Sequence, residues 1–230
     1  MSATNRKRAQ IDLVPGTGHE RERDDFYATP IHVTAAILPH LPFAGSVLEP
    51  CAGDGAIVRA LLAGGVDEGC IDAIELDPGR ANKARELVDV LVGDALKPRE
   101  LSSPTDACRL WDAPHGLVIM NPPFKLAEEF VRRAIEAQAP HRGTTAALVR
   151  IGFLAAAKRR DLVAAGGFDV FLLSPRPSFT ANGGNDSAEY AWVVAGPGRG
   201  GRFEVLHAPT PKRARKDVLP AEAAGEGATP

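Results

Sequence analysis

A run of four residues, Asn121-Pro122-Pro123-Phe124, combines two hydrogen-bond acceptors, a stiff backbone and an aromatic ring. The Asn121 side chain provides one carbonyl oxygen, and the backbone carbonyl of Pro122 provides another. Because the prolines restrict the backbone, both oxygens can stay aimed at one point. Such acceptors could bind both N–H groups of a ring-conjugated amine and free its lone pair for attack, while Phe124 stacks on the ring. The alternative is an ordinary Pro-Pro turn after a strand.

Three acidic residues and a pair of glycines earlier in the chain could bind a nucleoside-like ligand. An apolar segment runs into Glu49-Pro50-Cys51-Ala52-Gly53-Asp54-Gly55, where glycine permits a tight turn and a close approach to a ligand. Glu75 is suited to bind ribose hydroxyls, and Asp94 could accept from an adenine amino group. If such a ligand binds here, Glu49 would face a positively charged group of that ligand. Each acid could instead be a solvated residue at the end of a strand.

Strands and helices alternate along the chain, which predicts an α/β fold with a mostly parallel sheet and helices on both faces. Ligands of such sheets bind at the carboxyl ends of the strands, where the residues above lie. A helix follows Thr29-Pro30, and further helices are predicted over 56–63, 78–88, 126–137 and 155–164. Seven strands are predicted, over residues 46–50, 70–75, 90–93, 116–120, 144–150, 168–173 and 190–195.

The chain has 230 residues, 44% of them hydrophobic, which is enough for one main domain. We predict a flexible arm over residues 1–24, a single domain over 25–198 and a disordered tail over 199–230. The net charge is -2, so any surface that binds nucleic acid must be local. The tail has such a local excess of positive charge, from Arg199, Arg202, Lys212, Arg213, Arg215 and Lys216.

Several classes of protein are disfavoured by composition. No apolar run approaches the ~20 residues that a bilayer span needs, and the N-terminus has no signal-peptide core. These features predict a soluble, cytoplasmic protein with no membrane partner. The three cysteines and six histidines lack the spacing of metal ligands, so neither a metal site nor a disulfide framework is expected.

These motifs together resemble those of class I S-adenosylmethionine-dependent methyltransferases, and most of all the amino-group DNA methyltransferases. The resemblance implies a seven-stranded Rossmann-like sheet with S-adenosylmethionine at the strand ends and with neither metal nor nicotinamide. It rests on the Glu-Pro-x-x-Gly-x-Gly pattern at 49–55, on Glu75-Leu76-Asp77-Pro78, on Gly93-Asp94-Ala95 and on Asn121-Pro122-Pro123-Phe124.

The segment Tyr27-Ala28-Thr29-Pro30 resembles the element that precedes the first strand in the same family. By that resemblance Thr29, together with Tyr27, contacts the methionine part of the cofactor. From the residues alone, Thr29 is a helix N-cap in front of a proline at the first helical position. The resemblance thus implies twelve cofactor-binding residues: Tyr27, Thr29, Glu49, Pro50, Cys51, Gly53, Gly55, Glu75, Leu76, Asp94, Ala95 and Asn121.

The resemblance also implies which residues act on the substrate. Asn121, Pro122, Pro123 and Phe124 would be catalytic, with Phe124 stacking on a base turned out of its helix. Further substrate-binding candidates are Lys125, Arg176 and Phe179, of which Phe179 is a second stacking candidate. Alternatively, Phe179 covers the edge of the sheet, and Lys125 is simply solvated. Arg150 is also open to both interpretations, as a phosphate contact or as a solvated residue.

Asn at the first motif position resembles the adenine-directed members more than the cytosine-directed ones. The implied activity is methylation of adenine N6 in DNA, with a gamma-like motif order over roughly residues 25–195. Full-size members carry a large target-recognition domain after the core, whereas only 35 residues (230 minus 195) follow here. The chain is therefore most similar to small phage and mobile-element members. Alternatives are an RNA base or a protein glutamine as substrate, or a non-catalytic module that binds cofactor or DNA.

Overall fold

The computed structural model describes residues 27–97, 107–179 and 188–208, and these residues form an eight-stranded sheet with helices on both faces. The strand order across the sheet is β3-β2-β1-β4-β5-β7-β6-β8. The strands are β1 (Ser46–Glu49), β2 (Ile71–Glu75), β3 (Val90–Val92), β4 (His115–Met120), β5 (Thr144–Arg150), β6 (Asp169–Ser174), β7 (Tyr190–Ala195) and β8 (Phe203–His207).

The expected mostly parallel sheet is confirmed. Strands β1 to β5 pair in parallel, and β7 runs antiparallel between β5 and β6. Seven strands therefore point the same way, and their carboxyl ends define one edge of the sheet, which we call the carboxyl edge. Because β7 is reversed, its first residue, Tyr190, lies at this same edge.

The predicted number of seven strands is wrong by one, because the segment assigned to the tail contains β8. This strand pairs in parallel with β6, from Val170↔Phe203 to Ser174↔His207. The residues of β8 show no clear strand pattern, because the strand is short, lies at the end of the sheet and buries only Leu206. The predicted arm over 1–24 and the rest of the tail from 209 lie outside the described residues.

The helices follow the predicted order, and the largest differences in bounds are at two of them. The predicted helix over 78–88 ends at Ala84, and the predicted helix over 155–164 is two helices. Ala156 separates them because its backbone is extended, with ψ at 125°. The six α-helices of the described chain are α1 (Ile31–Ile37), α2 (Ala56–Ala63), α3 (Pro78–Ala84), α4 (Ala127–Gln138), α5 (Gly152–Ala155) and α6 (Arg160–Gly166).

The core lies on both faces of the sheet, as the side-chain alternation of strands requires. Val47 and Leu117 belong to one buried cluster, and their neighbours Leu48 and Val118 belong to the cluster on the other face. All four side chains have no exposed surface. Burial of each contributes about 1.5–3 kcal/mol, and the two layers hold the strand ends rigidly in place.

Within residues 27–97, 107–179 and 188–208, no helix is both long and apolar enough to cross a membrane. The same residues hold no cluster of three histidine, cysteine, aspartate or glutamate side chains that could bind a metal ion. The thiols of Cys51 and Cys70 are free.

Candidate active site

A cleft opens at the carboxyl edge, where β1, β2, β3 and β4 end. Its empty volume, open to solvent, is about 830 Å³, which is within the range of small-molecule sites. Gly53 and Gly55 lie in the turn between β1 and α2. The other ten residues predicted to bind the cofactor line the cleft: Tyr27, Thr29, Glu49, Pro50, Cys51, Glu75, Leu76, Asp94, Ala95 and Asn121.

The turn after β1 requires glycine at two positions. Gly53 and Gly55 have φ angles of 58° and 85°, in the left-handed region that side chains disfavour. A Cβ atom at Gly55 would also lie 2.8 Å from Cδ1 of Leu87 and 3.3 Å from Cα of Ala84. The turn can therefore bring α2 close to the end of α3 only because position 55 has no side chain.

Glu75 is held in place by three donors of the protein. Its Oε2 accepts from the Gly53 N–H at 2.7 Å, and its Oε1 accepts from the Asp77 N–H at 2.8 Å. Nε of Arg80 donates to the same Oε1 at 3.1 Å. Each carboxylate oxygen has two acceptor sites, so Glu75 retains capacity for a ligand hydroxyl. Sequence reasoning missed Arg80, whose only signal is its place in the first turn after β2.

Glu49 is buried without a complete set of partners. Glu49 is only 2% exposed, and no described residue donates a hydrogen bond to its Oε2. Burial raises the pKa of the Glu49 carboxyl well above its usual range, and the nearby carboxylates of Glu75 and Asp54 raise it further. A buried carboxylate without a partner is costly, so this position favours a ligand that brings a positive charge.

The other cleft residues are mostly apolar or bonded to the backbone. Oδ1 of Asp94 accepts from the Leu96 N–H at 2.9 Å, which closes the turn after β3. Burial raises the pKa of the Cys51 thiol well above its usual range, and the carboxylates of Glu49 and Glu75 add to the effect, so the thiol stays neutral. Leu76 and Leu126 are 56% and 39% exposed and line the cleft, so both offer apolar surface to a ligand.

The Asn121 amide has a fixed orientation. Its Nδ2 donates to the carbonyl oxygen of Tyr27 at 3.1 Å and to the hydroxyl oxygen of Thr29 at 2.9 Å. A backbone carbonyl can only accept, so the amide nitrogen must face Tyr27 and the side-chain oxygen Oδ1 must point the other way. Asn121 lines the cleft, so an oriented acceptor lies at its wall.

The prediction that Thr29 caps α1 is wrong. The residue at the N-cap is Pro30, and no side chain makes a capping hydrogen bond there. Instead, the buried Thr29 hydroxyl accepts from Asn121, 92 residues later in the chain. The contact of Thr29 with the methionine part of a cofactor stays a prediction.

Aromatic rings gather beside the Asn-Pro-Pro-Phe run. The Phe124 ring centroid lies 5.7 Å from that of Tyr27 and 5.9 Å from that of Tyr190. The Phe179 ring is 4.6 Å from Tyr190, so the two predicted stacking residues belong to one cluster. The guanidinium carbon of Arg150, at the end of β5, lies 4.1 Å from the Phe124 ring centroid. Sequence reasoning missed Tyr190, because the reversed direction of β7 brings it to this edge.

The remaining predicted residues are placed less centrally. Pro123 lines the cleft, whereas Pro122 is buried and does not. Lys125 is exposed and is not part of the cleft wall. Arg176 forms an ion pair with Glu189, which offsets its charge, and each side chain is about half exposed. Of the cationic residues considered, Arg150 is the one that lies against Phe124.

Comparison with solved structures supports the architecture. A predicted O-methyltransferase from Agrobacterium tumefaciens matches with a TM-score of 0.54 and 22% identity, over 79% of this chain and 90% of that chain. This chain has the class I methyltransferase fold. The type I restriction-modification methyltransferase subunit of Streptococcus thermophilus matches with a TM-score of 0.56 and 17% identity, over 77% of this chain and 47% of that one.

A third class I methyltransferase fold, the dimethyladenosine transferase of Plasmodium falciparum, matches with a TM-score of 0.50 and 13% identity. That match covers 74% of this chain and 62% of the other. No protein-family model and no curated protein sequence matches the chain. Identities of this size show a shared fold alone.

Proposed function

We propose that this protein transfers a methyl group from S-adenosylmethionine to the N6 amino group of adenine in DNA. The observation that carries the proposal is the Asn121 amide, which two acceptors orient so that its oxygen is available at the wall of the cleft. An acceptor fixed in this way needs no reorganisation during a reaction.

The cleft chemistry fits S-adenosylmethionine. Its sulfonium would supply an electrophilic methyl group. The partly unpaired carboxylate of Glu49 would bind the ammonium, and the positioned carboxylate of Glu75 would bind the ribose hydroxyls. The exposed apolar side chains of Leu76 and Leu126 would cover the faces of the adenine ring.

The residues after β4 would act on the target nitrogen. Oδ1 of Asn121 and the carbonyl oxygen of Pro122 would accept the two amino hydrogens and localise the nitrogen lone pair. S-adenosylmethionine would supply the methyl group: the S–CH3 bond would break with its electron pair left on sulfur as the N–CH3 bond formed, and the methylated nitrogen would release one proton to water. One preorganised hydrogen-bonding group of this kind contributes roughly 10²–10³-fold in rate. Phe124 would stack on the target base.

A nucleic-acid substrate is supported by the surroundings of this run. Phe124, Tyr190 and Phe179 provide aromatic surface for a base, and Arg150 provides positive charge beside it. One protein of similar fold is named for dimethyladenosine transfer, which agrees with an adenine target.

The test is methyl transfer from isotopically labelled S-adenosylmethionine to DNA, RNA and a protein extract, followed by mass spectrometry of the digested nucleosides and peptides. We expect label in N6-methyl-2′-deoxyadenosine. Label only in RNA or in glutamine would refute the DNA assignment and retain the chemistry. Tight cofactor binding with no label in any substrate would instead identify a non-catalytic module.

A further inference from the structure

The indole of Trp111 connects a segment outside the cleft to the cleft wall. Trp111 lies in a short 3-10 helix, Ala107–Asp112, and is 2% exposed. Its Nε1 donates to the carbonyl oxygen of Ala95 at 2.8 Å. Ala95 and its neighbour Asp94 line the cleft, whereas Trp111 is not part of the cleft wall. A buried side chain away from the ligand space is therefore bonded directly to the turn that faces a ligand.

Two other elements of the core hold this segment. The guanidinium carbon of Arg133, in α4, lies 5.4 Å from the indole ring centroid, and Nη1 of Arg133 donates to the carbonyl oxygen of Leu96 at 3.4 Å. Nε2 of the buried His115, in β4, lies 2.8 Å from the carbonyl oxygen of Leu110, which precedes Trp111. A carbonyl oxygen can only accept, so this ring nitrogen donates. Trp111 is thus fixed relative to α4 and β4.

We propose that Trp111 is a positioning residue that contributes to the selectivity of the cleft for adenine in the cofactor. Its indole N–H holds the backbone at Ala95, so that the Asp94 carboxylate stays where it accepts a hydrogen bond from the 6-amino group of the cofactor's base. This inference rests on the proposed function and deepens it, because it assigns part of the base selectivity to a residue that touches no ligand.

The turn after β3 couples the position of the backbone to that of the carboxylate. Oδ1 of Asp94 accepts from the Leu96 N–H at 2.9 Å, so the orientation of the carboxylate follows the backbone over residues 94–96. Each carboxylate oxygen has two acceptor sites, so Asp94 retains capacity for a ligand N–H. A carboxylate accepts from the amino group of adenine but repels the 6-carbonyl oxygen of hypoxanthine. Such discrimination weakens when a contact is misplaced by about 1 Å.

Trp192, the other tryptophan of the chain, provides a matched control. It is fully buried, and its Nε1 donates to the carbonyl oxygen of Val33, in α1, at 3.2 Å. Neither Trp192 nor Val33 is part of the cleft wall. Replacing either tryptophan with phenylalanine removes one buried indole N–H that donates to a backbone carbonyl. Both substitutions should therefore lower stability, but only Trp111→Phe acts on the turn after β3.

The test measures the binding of three ligands by calorimetry: S-adenosylhomocysteine, S-inosylhomocysteine and S-(2′-deoxyadenosyl)homocysteine. The inosyl ligand has a carbonyl in place of the 6-amino group, and the deoxy ligand lacks a ribose hydroxyl, which we propose Glu75 binds. The variants are Trp111→Phe, Arg133→Met and Trp192→Phe. Arg133→Met keeps the indole but removes the guanidinium beside it, and Arg133 is only partly buried. Urea denaturation gives the stability of each variant.

The parent should prefer the adenosyl over the inosyl ligand by roughly 10–100-fold, as one hydrogen bond to a charged group predicts. Trp111→Phe should reduce this preference roughly three- to tenfold, and Arg133→Met roughly twofold, because the carboxylate is displaced rather than lost. The preference for the adenosyl over the deoxy ligand should stay as in the parent, since Glu75 is bonded elsewhere. Trp192→Phe should leave both preferences unchanged although its stability falls.

An unchanged adenosyl-over-inosyl preference in Trp111→Phe, with only stability lowered, would overturn the inference, because Trp111 would then serve the core alone. An equal fall in both preferences, or a parent that does not distinguish the adenosyl from the inosyl ligand, would overturn it as well. If Trp111→Phe does not fold, an unchanged preference in Arg133→Met overturns it.

Methyl transfer to DNA by the parent is assayed separately. A parent that methylates adenine while Trp111→Phe keeps the full adenosyl preference retains the proposed function and refutes this inference. A preference that depends on Trp111, in a protein that methylates no substrate, refutes the proposed function alone.

Discussion

Glu49 and Asp169 are both buried carboxylates, 2% and 5% exposed, but they lie at opposite edges of the sheet. Glu49 ends β1 at the carboxyl edge, and its Oε2 has no hydrogen-bond donor among the described residues. Asp169 begins β6 at the other edge. Its Oδ1 accepts from the backbone N–H groups of Gly200 at 3.0 Å and Arg202 at 3.2 Å, and its Oδ2 accepts from Arg199 at 3.2 Å.

The surroundings shift the pKa values of the two carboxyl groups in opposite directions. Burial acts to raise the pKa of Asp169, but the donors from Gly200, Arg202 and Arg199 outweigh it and hold the pKa below its usual range. At Glu49, burial and neighbouring carboxylates act together, and the pKa rises well above its usual range. The carboxylate of Asp169 has donors from the protein on both oxygens, whereas the carboxylate of Glu49, which we propose binds a ligand, has one oxygen without a donor among the described residues. This contrast can be tested with substitutions at each edge.

The largest expected effect is on the rate of methyl transfer and comes from a substitution at the carboxyl edge. Asn121→Ala should lower the rate of methyl transfer by roughly 10²–10³-fold, because the target amine loses its oriented acceptor. Cofactor affinity should stay nearly unchanged, as calorimetry can show. Asn82→Ala, on the exposed side of α3, is the matched control. A rate for Asn121→Ala within a few-fold of the parent would remove Asn121 from catalysis.

The next effect is at the opposite edge, on stability. Asp169→Ala leaves the nearly buried Arg199 without its acid and should cost about 3 kcal/mol of unfolding free energy. The cofactor affinity of the folded variant should equal that of the parent. Urea denaturation and calorimetry measure the two quantities. The control Asp161→Ala breaks an ion pair whose acid is 68% exposed and should cost less than about 1 kcal/mol. Equal costs for both variants would contradict the contrast.

The third substitution should have the opposite outcome, with cofactor affinity lowered and stability retained. Glu49→Gln should weaken S-adenosylmethionine binding by roughly 1–3 kcal/mol, because the ammonium loses a charged partner. Its unfolding free energy at neutral pH should be equal to or higher than that of the parent, since a buried charge with an unpaired oxygen is gone. Glu86→Gln, at an exposed position, controls for the loss of one surface charge. Loss of stability without loss of affinity would show that Glu49 is structural.

The smallest effects are in the dependence of stability on pH. Above the ordinary value of 4.5, and up to its raised folded pKa, Glu49 holds a proton that the unfolded chain has lost, so stability falls as pH rises. The slope is at most about 1.4 kcal/mol per pH unit. Asp169 has the opposite sign: its contribution is present above 3.8 and is lost as pH falls through its lowered folded pKa.

Urea denaturation between pH 3 and pH 8 measures both contributions. Glu49→Gln should remove the fall above pH 4.5, and Asp169→Asn should remove the loss on the acid side. If Glu49→Gln leaves the slope above pH 4.5 unchanged, the carboxyl of Glu49 is not protonated in the folded protein.

The sequence was most informative about residues whose position follows from the direction of the strands and the bounds of the helices. The carboxyl ends of neighbouring parallel strands meet at one edge, so Glu49, Glu75, Asp94 and Asn121 could be grouped without knowledge of side-chain geometry. Helix α2 was predicted with its observed bounds, because glycines flank it on both sides. These features depend on local pattern alone.

The features that sequence reasoning missed depend on long-range geometry. Strand β8 has little buried apolar surface, and its pairing with β6 cannot be read from its own residues. Tyr190 reaches the site only because β7 is antiparallel. Arg80 matters through its hydrogen bond to Glu75, which depends on the rotamers of both side chains.

The hydrogen bond between Thr29 and Asn121 has a consequence for how homologous sequences diverge. Serine at position 29 would keep an acceptor for the amide, whereas valine would leave one amide N–H without it. Aspartate at position 121 has no N–H to give, so it would need donors in the segment that now offers a carbonyl and a hydroxyl. Positions 29 and 121 should therefore covary, and an alignment in which each changes independently of the other would show that the pairing is not under selection.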